Sequence, residues 1–184
     1  MTLLYQNKYR VHTHCCSGWV YASPGAVFVT ICTPSDRCYF SNVNDGGNRL
    51  NLVGEIVNEE INKTQTIRKN VIIDSWVIMP NHVHLIIIIK PEDHLETPRR
   101  GVCTEKDTNW KPGCLGAIVN HFKGARTRRI RTNLNPSFTW QPRFYDHIIR
   151  GDRDLDNLRM YISLNPENWR DGAPIVSREV PIYA

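Results

Sequence analysis

The chain has 184 residues, of which 41% are hydrophobic and 22% are charged, and its formal net charge is +5 at pH 7. These values are near the globular average and exclude a wholly disordered chain. The longest purely aliphatic run, Leu85 to Ile89, is far shorter than the ~20 residues that span a bilayer. The N-terminus lacks a charged segment followed by an apolar one, so we predict no signal peptide and expect a cytoplasmic protein.

Six cysteines are present, at positions 15, 16, 32, 38, 103 and 114. None of them forms a CxxC pair, which argues against a structural zinc site. Without an export signal, reduced thiols are the expected state.

Residues 25–61 are predicted to contain two strands and a helix. Residues 25–33 are apolar and rich in β-branched side chains, which predicts a buried strand that ends at Pro34. Residues 38–43 are predicted to form a short edge strand before the turn sequence NDGGN. Apolar residues recur at helical spacing over residues 50–61.

Two further strands are predicted on either side of the turn at Pro80. Residues 71–79 and 82–90 form a predicted hairpin, and the aliphatic character of its second strand favours a central position in the sheet. The segment 91–113 is rich in polar residues, Pro and Gly, which predicts an exposed loop.

The last part of the chain adds two helices and a strand. Helices are predicted over 115–130 and 152–165, with a strand within 137–149 whose Pro142 favours an edge or bulge position. The resulting order of strands and helices fits an α+β, ferredoxin-like sandwich, in which helices cover one face of an antiparallel sheet. We expect one domain over residues 1–184, with an N-terminal arm at 1–18 and a tail at 170–184.

His82 and His84 lie two residues apart on a predicted strand. Side chains at i and i+2 of a strand share a face, with Cα atoms roughly 6–7 Å apart, so the two imidazoles can bind one metal ion. The turn before them and the apolar strand after them would anchor such a site. The alternative is that both are ordinary surface or core histidines.

Tyr161 and Asn165 lie four residues apart on the last predicted helix and therefore share one of its faces. Together they offer a phenol nucleophile and a neutral oxygen ligand. The alternative is a tyrosine packed between helix and sheet and an asparagine that binds carbonyls at the helix end.

The helix predicted over 115–130 is basic and contains no acid as far as Arg131. Such a run favours contact with nucleic-acid phosphates over a merely solvated helix face. The expected phosphate contacts are Lys123, Arg126, Arg128 and Arg129. Trp140, beside charged and polar residues, is either a ring that stacks on bases of a single strand or a core aromatic.

Several segments together resemble the single-tyrosine transposases of the HUH nuclease superfamily, and within it the REP-associated tyrosine transposases. They are WVYASPGAVFVTICT at 19–33, MPNHVHLI at 79–86, FK at 122–123, WQPRFYDHIIR at 140–150 and YISLNP at 161–166. The resemblance covers residues 19–169 in the same order. Val20 departs from it, because that branch usually carries an acidic residue there.

The resemblance implies a metal-dependent endonuclease that cleaves and rejoins single-stranded DNA through a 5′-phosphotyrosine intermediate. It implies Tyr161 as the catalytic nucleophile, carried on a C-terminal helix packed against the sheet. It further implies His82, His84 and Asn165 as ligands of a divalent metal, Mg²⁺ or Mn²⁺. The implied partner is single-stranded or hairpin DNA, without a membrane, and the implied state is a monomer or homodimer.

Two other functions are compatible with the same residues. One is a non-catalytic module, derived from this family, that binds single-stranded nucleic acid. The other is a metal-dependent hydrolase with water as the nucleophile, which would tolerate Tyr161→Phe.

Overall fold

The computed structural model describes residues 4–5, 9–10, 23–44, 47–91 and 114–169. The predicted tail at 170–184, Val20, nearly all of the loop at 91–113 and most of the arm at 1–18 lie outside these residues. The strands are β1 (Leu4–Tyr5), β2 (Tyr9–Arg10), β3 (Gly25–Cys32), β4 (Ser41–Asn44), β5 (Gly47–Leu50), β6 (Val71–Ile78), β7 (His82–Ile89) and β8 (Tyr145–Ile149). The helices are α1 (Leu52–Ile67), α2 (Leu115–Asn133) and α3 (Asp152–Leu164), with a short 3₁₀ turn at Pro34–Asp36.

A four-stranded antiparallel sheet in the order β6-β7-β3-β8 forms the centre of the fold. The predicted hairpin of β6 and β7 is confirmed, and so is the central position of β7. Taken in chain order, β3, α1, β6, β7, α2 and β8 form the βαββαβ arrangement of a ferredoxin-like sandwich. The predicted α+β fold class is therefore confirmed.

Successive side chains along each strand point to opposite faces of the sheet, and both faces are covered by helices. On one face, side chains such as Val83 and Leu85 join the main core, which includes Val57 of α1 and Ile118 of α2. On the other face, a smaller apolar cluster packs beneath α3; it contains Phe28, Ile86, Leu158 and Ile162. The helix that carries Tyr161 thus lies across the face that α1 and α2 leave uncovered.

Polar contacts fix α3 to both edge strands of the sheet. Arg159 binds both carboxylate oxygens of Asp74 on β6, at 2.6 and 2.8 Å. At the other edge, Asp154 lies 3.0 Å from the imidazole of His147 on β8. Asp152 and Asp154 also place negative charge in the first turn of the helix, where the helix dipole favours it.

Two predictions about strands need correction. The predicted edge strand at 38–43 does not join the main sheet: β4 pairs with β5 as a separate hairpin, because the chain reverses between Asn44 and Gly47. The predicted strand within 137–149 begins only at Tyr145, so Pro142 precedes β8 rather than interrupting it, although β8 is an edge strand as expected. Within the described ranges, no helix combines the length and apolar character needed to cross a bilayer.

Candidate active site

His82 and His84 lie side by side at the start of β7, on the face covered by α3. Their side chains are buried, with relative exposures of 4% and 1%, and their ring centroids are 4.5 Å apart. Val83 between them points into the main core on the opposite face and anchors the strand. The structure therefore brings the two imidazoles together on one face, as the spacing predicts.

A neighbouring side chain occupies the Nδ1 atom of each imidazole. The hydroxyl of Thr30 lies 2.8 Å from Nδ1 of His84, its register partner on β3. The Oδ1 atom of Asn81 lies 2.7 Å from Nδ1 of His82. These contacts fix both rings through Nδ1, so that each ring makes its further contacts through Nε2, which is how histidines that bind metals are commonly oriented.

Asn165 connects the end of α3 to the histidine pair. Its side chain hydrogen-bonds to both His82 and Tyr161. The ring of Tyr161 in turn lies with its centroid 5.4 Å from that of His84. The four predicted site residues thus form one group, and the alternative in which Asn165 serves only the helix carbonyls does not account for its side-chain contacts.

Burial controls the protonation of this group. Loss of solvent lowers the pKa of His82 to about 4, against the opposing effect of its hydrogen bond with Asn165. Burial and the neighbouring His82 hold the pKa of His84 well below its ordinary value. Both imidazoles are therefore neutral at pH 7, the form that can donate a lone pair. Burial raises the pKa of the Tyr161 phenol, so it keeps its proton at neutral pH.

The donor set of this group fits a divalent cation. No cluster of three His, Cys, Asp or Glu side chains suited to a metal exists among the described residues. The third protein ligand offered here is the amide oxygen of Asn165, beside two neutral imidazoles. Nitrogen ligands favour Mn²⁺ over Mg²⁺, whereas the amide oxygen suits both ions.

Three further residues contact the group and were not predicted from the sequence. Phe28 stacks on His84 at a centroid distance of 5.0 Å and meets Tyr161 edge-on at 6.0 Å. Trp169 approaches His82 from beyond α3, with its ring centroid 6.0 Å away. Thr30 is the one such residue with a signal in the sequence, since it is a polar side chain within an apolar strand.

No family model matches the chain, but two curated proteins are similar to it in sequence. An uncharacterized protein of Haemophilus influenzae is 32% identical over 151 residues, which cover 81% of this chain and 84% of that protein. A second protein of that species, provisionally named a REP-associated tyrosine transposase, is 31% identical over 90 residues, or 48% of this chain and 46% of that protein.

A similar fold occurs in a solved REP-associated tyrosine transposase bound to a REP hairpin. The TM-score is 0.54 at 23% identity, over 80% of this chain and 70% of that chain. The chain is therefore similar to REP-associated tyrosine transposases in fold and, over about half of its length, in sequence. The resemblance seen in the sequence motifs is thereby confirmed.

Two of the predicted DNA contacts do not fit the structure. Arg126 is only 1% exposed; its guanidinium lies over the ring of Phe122 and donates to the Phe122 carbonyl and to Thr64. Trp140 is 6% exposed and packs in the core against Phe40 and Phe138. The predictions of a phosphate contact at Arg126 and of base stacking at Trp140 are wrong, because both side chains point inward.

The other cations that were predicted to contact DNA differ in their availability. Arg129 is paired with two carboxylates of α1, Glu59 at 2.6 Å and Glu60 at 3.4 Å. Lys123 donates to the main-chain carbonyls of Gln141 and Arg143. Arg128 is exposed, and no partner for it is recorded in the described part of the chain. Their roles in binding DNA remain predictions.

Proposed function

We propose that this chain is an endonuclease and strand transferase that acts on single-stranded DNA with Tyr161 as its nucleophile. The observation that carries the proposal is the contact of one side chain, Asn165, with both the phenol of Tyr161 and the imidazole of His82. A nucleophile and a candidate metal site are therefore adjacent, although they come from different elements of the fold.

His82, His84 and Asn165 are the residues proposed to hold Mg²⁺ or Mn²⁺. A divalent cation at such a site polarises a phosphate oxygen and offsets the negative charge that develops during attack on phosphorus. The protein supplies neutral imidazoles, because burial keeps them unprotonated at pH 7. Thr30 and Asn81 hold the rings so that little reorientation is needed on binding.

In the proposed step, the phenolic oxygen of Tyr161 attacks the phosphorus of a phosphodiester. The bond between phosphorus and the 3′ oxygen breaks, so the products are a 5′-phosphotyrosine and a strand that ends in a 3′ hydroxyl. The phenol loses its proton and the departing 3′ oxygen gains one, which balances the step. Because the covalent link conserves the energy of the broken bond, a 3′ hydroxyl can reverse the reaction and join strands without ATP.

Other side chains around Tyr161 orient the phenol for this step. The hydrogen bond from Asn165 lowers the pKa of the phenol and so opposes the effect of burial. Contact with Phe28 on one side and His84 on another limits rotation of the Tyr161 ring. Such restraint favours attack because the reacting atom is already held in position.

The similarity to REP-associated tyrosine transposases and the net charge support DNA as the substrate. The solved family structure is bound to a REP hairpin, and the net charge of +5 suits a polyanion. We therefore propose single-stranded DNA, or a hairpin with single-stranded flanks, as the substrate class.

The proposal is tested by incubating the protein with labelled single-stranded oligonucleotides and Mn²⁺ and separating the products on a denaturing gel. We expect a protein–DNA adduct with the wild type and none with Tyr161→Phe. Free products from both proteins would instead support hydrolysis by water. Binding that survives a chelator, with no cleavage under any divalent ion, would support the non-catalytic module.

A further inference from the structure

An open groove runs between α2 and residues 139–143. It encloses about 590 Å³, which lies in the size range of pockets for drug-sized ligands. Such a volume suits a short stretch of one strand rather than the face of a long duplex. Its polar lining includes Lys123, Thr127, Arg128, Arg131, Gln141 and Arg143.

The groove is positively charged throughout. None of the described residues that line it is acidic, whereas four of them are cationic. Helix α2 itself contains no Asp or Glu. By contrast, Arg129 on the same helix is paired with Glu59 and Glu60 of α1. An uncompensated cluster of this kind favours a phosphate ligand.

Two arginines of the groove have donors to spare. Arg128 is exposed, and its guanidinium has no recorded partner within the described ranges. Arg131 is also exposed and donates its Nε to the carbonyl of Phe138 at 2.7 Å. That bond orients the guanidinium and leaves its two terminal nitrogens available, and these can bind a phosphate in a bidentate manner.

Lys123 builds the wall of the groove. Its Nζ donates to the carbonyls of Gln141 and Arg143, at 2.8 and 2.5 Å, and so ties the segment before β8 to α2. We therefore assign Lys123 a structural role in maintaining the groove. Arg128 and Arg131 are the residues available to bind a ligand.

The wall of the groove is close to the candidate active site. The backbone N–H of Gln141 donates to the carbonyl of Cys32 at 2.8 Å, which continues the line of β8 along the edge of β3. Cys32 is in turn the register partner of His82. Two strand spacings of about 4.8 Å each therefore separate the backbone of Gln141 from that of His82.

We propose that this groove binds the sugar–phosphate backbone of the single-stranded DNA that enters the site at His82. The proposal rests on the proposed function and adds to it the path of the substrate beside the cleaved bond. Arg128 and Arg131 contact phosphates, and neutral donors such as Thr127 and Gln141 bind sugar or phosphate oxygens.

The test measures binding of a single-stranded DNA oligonucleotide as a function of salt, in the Tyr161→Phe background so that cleavage does not interfere. The variants are Arg128→Ala and the double variant Arg128→Ala/Arg131→Ala. The matched control is Arg49→Ala, which removes an exposed arginine of β5 outside the groove. Thermal unfolding of each variant shows whether it remains folded.

Each lost phosphate contact should make the slope of log K against log salt concentration less steep by about 0.7. At about 0.1 M salt, this corresponds to about fivefold weaker binding for Arg128→Ala and about 25-fold for the double variant. Arg49→Ala should bind as tightly as the parent protein.

Unchanged slopes in both groove variants would overturn the proposal that the groove binds DNA. Adduct formation by the wild type would in that case still support Tyr161 as the nucleophile. Conversely, loss of binding in the groove variants without any adduct in the wild type would retain the groove and refute the cleavage reaction. Tighter binding of an RNA oligonucleotide of the same sequence, with the same dependence on Arg128, would contradict DNA as the ligand.

Discussion

The aromatic ring of Tyr161 lies edge-on to that of His84, with centroids 5.4 Å apart and an angle of 64° between the planes. One residue belongs to α3 and the other to β7, so their relative position depends on how the helix is fixed to the sheet. The apolar contacts beneath α3 set its distance from the sheet, and the polar contacts of Arg159 and Asp154 with the two edge strands limit its sliding and rotation.

Arg159→Ala should slow adduct formation more than it weakens DNA binding. The variant removes the paired contact with Asp74 that holds α3 to β6, and a nucleophile displaced by about 1 Å can lose up to about 100-fold in rate. Single-turnover rates and oligonucleotide affinity measure the two effects separately. Arg159→Lys should recover only part of the rate, because an ammonium cannot bind a carboxylate through a planar fork.

Arg153→Ala is the matched control for Arg159, since it removes an exposed arginine of the same helix. If the two variants cleave at equal rates, the ion pair with Asp74 has no positioning role.

Thr30→Val should weaken metal binding while it preserves the shape of the side chain. The hydroxyl is within hydrogen-bond distance of Nδ1 of His84, and loss of such a partner typically costs 10–100-fold in metal affinity. The Mn²⁺ concentration that gives half-maximal cleavage should rise accordingly. Thr66→Val, at an exposed position of α1 outside the groove, should leave it unchanged. Equal Mn²⁺ requirements in all three proteins would exclude this role for Thr30.

Arg126→Met should leave DNA binding and its salt dependence unchanged, because the Arg126 guanidinium is buried rather than exposed to a ligand. Its Nε atom has no hydrogen-bond partner among the described residues, and burial lowers the pKa of the guanidinium to about 9. An apolar side chain of similar length avoids the cost of burying a charged guanidinium whose Nε atom is unbonded. We therefore expect the free energy of unfolding to stay equal or to rise by about 1 kcal/mol or more. Denaturant unfolding and the salt slope are the measurements; a shallower slope would restore Arg126 as a phosphate contact.

The metal-free protein should lose stability as the pH falls from about 6.5 to about 4. In the unfolded chain the histidines bind protons below their ordinary pKa of 6.5, whereas burial lowers the pKa of His82 to about 4 in the folded protein. The unfolded state therefore binds more protons in this window, and acid favours it. The burial that also lowers the pKa of His84 acts in the same direction.

Each such histidine contributes a slope of up to about 1.4 kcal/mol per pH unit. The free energy of unfolding, measured against pH in the presence of a chelator, should therefore depend less steeply on pH in His82→Gln/His84→Gln than in the wild type. Parallel curves for the two proteins would show that the imidazoles are not held neutral by the fold.

Periodicity was sufficient to predict most elements of this fold, and spacing was sufficient to place His82 beside His84 and Tyr161 beside Asn165. The contact between these two pairs depends on which face of the sheet α3 covers. The packing of Leu158 on α3 against the cluster that contains Phe28 on β3 determines that face, and no local sequence pattern reveals it.

Charge alone was a poor guide to the DNA contacts. The run of cations on α2 does not reveal that Arg126 turns inward over Phe122 or that Arg129 meets carboxylates of α1. Likewise, Trp140 reads as an exposed ring beside polar residues until its packing against Phe40 and Phe138 is known. Residues that are distant in sequence decide burial in each case.

The most direct measurement uses one oligonucleotide labelled in turn at its 3′ and its 5′ end, incubated with the protein and Mn²⁺. Attack by Tyr161 predicts that only the 3′ label becomes attached to protein, that the 5′ label stays on a free shortened strand, and that mass spectrometry finds the nucleotide on the peptide containing residue 161. Attachment of the 5′ label, an adduct that persists in Tyr161→Phe, or cleavage into two free fragments would contradict the account.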